Sequence, residues 1–80
     1  MYSKVLIIDP IATNRIILKV KFSAAYYTVT QALTLAEAIA VIAKSRPNIA
    51  ITADQLPDGT ARKLISQMHK LPMGDDIPII

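Results

Sequence analysis

Residues 46–59, RPNIAITADQLPDG, set a short strand, Ile49 to Ala53, between a proline and a turn-rich loop. Pro47 stops any preceding helix, because its ring and missing N–H discourage continuation. Leu56 to Gly59 holds the proline, aspartate and glycine that close turns. The segments on either side are helical. Upstream, Thr34-Leu35-Ala36-Glu37 is a capping box, followed by Leu35, Ala38, Ile39 and Ile42 at i, i+3, i+4 and i+7. Downstream, Ala61, Leu64, Ile65 and Met68 repeat the same spacing.

Further out, Val5 to Ile8 is a continuous apolar run ended by Asp9-Pro10, the pattern of a strand covered on both faces. From Thr13 or Asn14, the expected cap, to about Ala25 the spacing predicts a helix. Ile16, Ile17, Val20 and Ala24 form its apolar arc, widened by Leu18 and Phe22, opposite Arg15, Lys19 and Ser23. Tyr26 to Thr30 alternates aromatic and β-branched residues and predicts a strand starting on a packed Tyr26-Tyr27 pair. Pro72 to Asp76 reads as a loop, and Ile77 to Ile80 opens a fourth strand. The order βαβαβαβ with short connections implies an α/β fold, a doubly wound parallel sheet. Residues 1–80 are expected to be the N-terminal portion of a single domain, incomplete at the C-terminus, since an apolar half-strand comes last with no closing helix.

A chain this short buries only about 60 to 65% of the surface it exposes when unfolded. With 52% apolar and 19% charged residues, some apolar surface is expected to meet something outside the segment. No run reaches the length of a membrane span, and Asp9 interrupts the N-terminal apolar run, so a cytoplasmic protein is expected. The net charge of +3 comes from scattered Lys and Arg without aromatic interleaving, which argues against a nucleic-acid surface. Without cysteine there are no disulfides or thiolate metal sites. His69, the single histidine, has no partner for a metal site and reads as a surface residue. Asp58-Gly59 reads as turn chemistry, and no glycine-rich phosphate loop or Ser/His/Asp arrangement is present.

Taken together, the strand end at Ala53, the Leu56-Pro57 loop and the Asp9-Pro10 step resemble the response-regulator receiver domains related to CheY. The segments KVLIIDPIATNRIILK and SAAYYTVTQA resemble most the first receiver of PleD-type diguanylate cyclases. The resemblance covers the whole chain and implies a flavodoxin-like strand order, 2-1-3-4, with a fifth strand to follow. In that family paired acids follow the first strand, and a phosphoaccepting aspartate ends the third, four residues before the loop proline. Position by position, Asp9 matches the first acid, Pro10 replaces the second, and Ala53 replaces the phosphoacceptor. Ala61 stands where many members have a second glycine.

The implied protein is therefore a degenerate receiver, or pseudo-receiver, of two-component phosphorelay signalling, and not an enzyme. Pro10 offers no side-chain oxygen to a magnesium ion and Ala53 no nucleophile. No cofactor is expected, magnesium binding is expected to be weak, and Asp9 and Asp54 remain as residual acids. The expected partners are proteins: a second copy in a homo-oligomer, another regulator or an attached output domain. One alternative is a phosphorylatable receiver that uses Asp54 with Asp9 as its metal-site acid; its spacing to Pro57 is three instead of four, and strand alternation turns it away from the Ala53 direction. Another is a free-standing α/β adaptor unrelated to phosphorelay.

Overall fold

The computed structural model describes residues 3–71 and 77–80. The expected loop at 72–76 lies outside the described residues. Three parallel strands, β1 (Lys4–Ile8), β2 (Thr28–Ala32) and β3 (Ile49–Thr52), lie in the order β2-β1-β3. Residues 77–80 continue this order beyond β3. Ile79 makes a parallel bridge to Ala50, and Ile80 N–H donates to Ala50 O at 2.9 Å. The α/β reading and the strand order both hold.

The helices α1 (Ala12–Ala24), α2 (Leu35–Ser45) and α3 (Ala61–Met68) return the chain between strands. Alternation along β1 divides its side chains between the two faces. Leu6 and Ile8 join Ala32, Ala50, Leu35, Ala38, Ile42, Leu56, Leu64 and Met68 in the main core, under α2 and α3. Val5 and Ile7, also buried, take the opposite face, where α1 lies against β1 and β2. Each fully buried Leu or Ile contributes about 1.5–3 kcal/mol, so β1 is the most heavily stabilised element.

The helix ends depart from expectation in three ways. First, α1 begins one residue before Thr13, and Ile11, its N-cap, makes no side-chain capping bond. Neither Thr13 nor Asn14 is the cap, since both lie inside the helix, and just before it the Asp9 carboxylate accepts the Ile11 N–H at 2.8 Å.

Second, β2 starts at Thr28, not Tyr26, because Tyr26 and Tyr27 close α1. Tyr26 N–H donates to Ser23 O and Tyr27 N–H to Phe22 O, both at 3.0 Å. This is a Schellman motif with Tyr26, at φ 68°, in the left-handed position that glycine usually fills. Its accompanying apolar contact is the edge-to-face pair of Phe22 and Tyr27, with centroids 5.3 Å apart.

Third, the capping box at Thr34 is completed differently. Thr34 Oγ1 accepts the Glu37 N–H at 3.1 Å, as expected, but Glu37 Oε2 accepts from Leu33 N–H at 3.2 Å and not from Thr34.

The turn-rich loop is a small hairpin, β4 (Gln55–Leu56) and β5 (Gly59–Thr60), paired antiparallel across Pro57-Asp58. Gly59 serves closeness, not torsion, since its φ is not positive. A Cβ there would lie 2.8 Å from Leu35 Cδ1 and 3.2 Å from Lys63 Cδ. Thr60 then caps α3 by accepting the Lys63 N–H at 3.2 Å.

The apolar arc of α1 is the clearest departure. No α1 residue is buried, and Ile16, Ile17 and Val20 are 58%, 49% and 63% exposed. Arg15, Leu18 and Phe22 form the half-buried side. The helix forms where the spacing predicts, yet its most regular apolar stripe faces outward.

Candidate functional site

Functional residues of open α/β sheets gather beyond the carboxyl ends of the strands, near the point where strand order reverses. In this sheet that point lies between β1 and β3, and the residues leaving it are Asp9-Pro10 and Ala53-Asp54. The backbone holds the two exits together, Ala53 N–H donating to Ile8 O at 2.8 Å, while on the other side of β1 Asp9 N–H donates to Ala32 O in β2 at 3.0 Å. Asp9 and Ala53 are thus side by side, as the sequence implies.

Asp9 is the one buried polar residue among those described. Both carboxylate oxygens are engaged. Oδ1 accepts the Ile11 N–H at 2.8 Å in an Asx-turn, and Oδ2 accepts Asn14 Nδ2 at 3.2 Å. Its carbonyl accepts Arg15 Nη1 at 2.7 Å. Asn14 and Arg15 are partners that sequence reasoning misses; an Asx residue four positions before the expected helix start at Thr13 is the signal that could have found them.

Ala53 is half-buried against the main core, and its carbonyl accepts Thr52 Oγ1 at 2.9 Å. Asp54 is exposed, and its carbonyl accepts the Ala61 N–H at 3.0 Å, closing the base of the hairpin. The structure therefore brings Ala53 to Asp9 and leaves Asp54 in solvent. Pro10, half-buried, contributes no side-chain oxygen beside them.

At this edge only Asp9 and Asp54 carry carboxylate side chains. A hard cation wants several oxygen ligands in octahedral array. Among the described residues no group of three His, Cys, Asp or Glu side chains could hold a metal. His69 is exposed at the end of α3 and lines a shallow hollow together with Ile65, Met68, Ile77 and Ile79. Asp58 does more than close its turn: its carboxylate binds the first amides of α2, Leu35 N–H at 2.7 Å and Ala36 N–H at 3.0 Å.

No family model matches the chain. No curated protein matches it either. Solved structures match it closely in shape. The chemotaxis response regulator CheY4 of Vibrio cholerae aligns with a TM-score of 0.94 and 24% identity, over 99% of this chain and 66% of that one. A candidate response regulator from Chloroflexus aurantiacus gives 0.92 and 26%, over 99% and 65%. A CheY-like receiver domain protein from Methanospirillum hungatei gives 0.83 and 27%, over 88% and 56%. The fold is that of CheY-like response-regulator receivers, and the chain spans less than two thirds of the length of these three structures. Among the described residues no helix is long and apolar enough to cross a membrane.

Proposed function

We propose that this chain is a receiver segment of a two-component response regulator that has lost aspartyl phosphorylation and acts through protein contacts, without enzymatic activity of its own. The observation that carries the reading is the pairing at the strand ends. Ala53 stands beside Asp9 with a methyl group where the family needs a nucleophile, and the Asp9 carboxylate is occupied in holding the first turn of α1. A cation at Asp9 would compete with two hydrogen bonds for the carboxylate oxygens and would find no second acid at Pro10.

In receivers of this fold a phosphoryl group biases a two-state surface. Without an acceptor the surface stays in one state or answers to another input, so the partner is a protein: a second copy, another regulator or an attached output domain. The resemblance to the first receiver of PleD-type diguanylate cyclases fits a contact-making role and leaves the output open. A cytoplasmic location is part of the same proposal.

Intact-mass spectrometry after incubation with acetyl phosphate and magnesium tests it. No phosphoryl adduct is expected. A stoichiometric adduct that disappears in Asp54→Asn would overturn the proposal and establish Asp54 as the acceptor.

A further inference from the structure

The sheet ends on one side at β2, whose only strand neighbour among the described residues is β1. Thr28 N–H donates to Ser3 O at 2.9 Å, and Ala32 O accepts from Asp9 N–H at 3.0 Å. Along a parallel ladder the residues that bond a given neighbour alternate, so Thr28, Thr30 and Ala32 bond β1. The N–H and C=O groups of Val29 and Gln31 point away from it. Natural proteins guard such an edge with charge, proline or a bulge. The segment Tyr26 to Leu33, YYTVTQAL, contains no charged residue, proline or glycine. Exposed apolar side chains flank the strand, Tyr27 at one end and Leu33 at the other.

We propose that β2 pairs antiparallel with β2 of a second copy, about a two-fold axis through Thr30, so that the two sheets become one. The inference rests on the reading that the chain works through protein contacts, and names the surface. In this register Val29 lies opposite the partner's Gln31, and Gln31 opposite the partner's Val29. Both pairs exchange N–H···O=C bonds with the groups that β1 leaves unused. The same register sets Tyr27 opposite the partner's Leu33, an aromatic-aliphatic cross-strand pair, with no like charges facing each other. A two-fold interface must be self-complementary, and these positions are symmetric about Thr30.

One rival surface is the exposed stripe of α1. Ile16, Ile17 and Val20 share that helix with Arg15, Lys19 and Lys21 and with no acidic residue. Two copies meeting there would bring like charges together. The uncharged edge of β2 carries no such penalty.

Light scattering and sedimentation of the 80-residue chain at tens of micromolar test the proposal, with circular dichroism melts confirming that each variant folds. The wild-type chain is expected to dimerise. Tyr27→Lys and Leu33→Lys each place a lysine in the apolar pair twice per dimer and are expected to weaken association at least about tenfold. Val29→Pro removes an outward N–H without touching the β1 ladder and is expected to weaken it as well. The double variant Tyr27→Lys/Leu33→Glu faces each lysine with a glutamate and is expected to restore association, which loss of the Phe22 contact alone would not do.

Ile16→Lys is expected to leave association unchanged. A monomeric wild-type chain overturns the proposal. So does a dimer that survives Tyr27→Lys and Leu33→Lys but is lost in Ile16→Lys; self-association then stands, and the β2 assignment falls. Failure of the double variant to recover, despite a native melt, overturns the register. Labelling by acetyl phosphate is independent of all these results, so the two readings fail separately.

Discussion

Asp58 accepts the backbone N–H of Leu35 at 2.7 Å and, with its second oxygen, that of Ala36 at 3.0 Å. A hairpin residue therefore completes the N-terminus of a helix that begins 23 positions earlier. Thr34 accepts the neighbouring amide of Glu37, so the first turn of α2 is served by its own N-cap and by a distant part of the chain. The arrangement ties the hairpin to the helix by charge as well as by the close fit of Gly59 under Leu35.

The first prediction follows from that charge. The bonds from Leu35 and then Ala36 favour the ionised carboxylate and hold Asp58 below its ordinary value of 3.8. A depressed native value means that the unfolded chain binds the proton more readily. The contribution to stability is present above the unfolded value and is lost as pH falls through the lower native one. Asp58→Ala is expected to lower the melting temperature by several degrees at neutral pH. It should also flatten the fall of stability below about pH 4 that the wild-type chain shows. Thermal melts across pH 2–7, an acid series for both proteins, check it; parallel curves would contradict it.

The second prediction concerns the left-handed Tyr26. A bulky residue at positive φ costs on the order of 1–2 kcal/mol, and glycine removes the clash of its Cβ. Tyr26→Gly is expected to stabilise the fold by about 1 kcal/mol, after allowance for the greater freedom of glycine in the unfolded chain. Urea denaturation would register this as a higher midpoint at unchanged slope. A lower midpoint would mean that the tyrosine ring contributes more than its backbone costs.

The third prediction separates the two apolar faces. Leu64 is fully buried in the main core, and Leu64→Ala is expected to cost about 2–5 kcal/mol. Ile16 is 58% exposed, and Ile16→Ser is expected to change stability by no more than about 0.5 kcal/mol. Denaturant melts of both variants suffice, and comparable losses would place the α1 stripe inside the fold.

The fourth prediction concerns magnesium. With both oxygens of Asp9 engaged and Pro10 silent, calorimetric titration is expected to yield no binding at sub-millimolar affinity. Tight binding that vanishes in Asp9→Asn would count against the degenerate site.

The topology is legible in the sequence because it depends on strong local signals: continuous apolar runs, helical spacing and prolines at element ends. The strand-end pairing of Asp9 with Ala53 follows from that topology. Other features depend on tertiary contact and leave no local trace. Spacing predicts a helix at α1 but not its environment, so Ile16 and Val20 look like core residues while Leu18 and Phe22 actually face the sheet. A tyrosine at the left-handed closing position of α1 gives none of the warning that a glycine would. The role of Asp58 requires knowing that β5 passes beneath Leu35. The place of Asp9 at the strand end is legible, and its bonds to Ile11 and Asn14 are visible only once the turn is built.

Those bonds give the site a reporter. Asp9 Oδ1 accepts the Ile11 amide at 2.8 Å, so a ligand that takes up this oxygen competes with the start of α1. Where a cation displaces that bond, the helix start is expected to fray and the Ile11 amide to exchange faster with solvent. Hydrogen exchange at that one position is then the expected readout of competition for the strand-end carboxylate, with no measurement of phosphorylation.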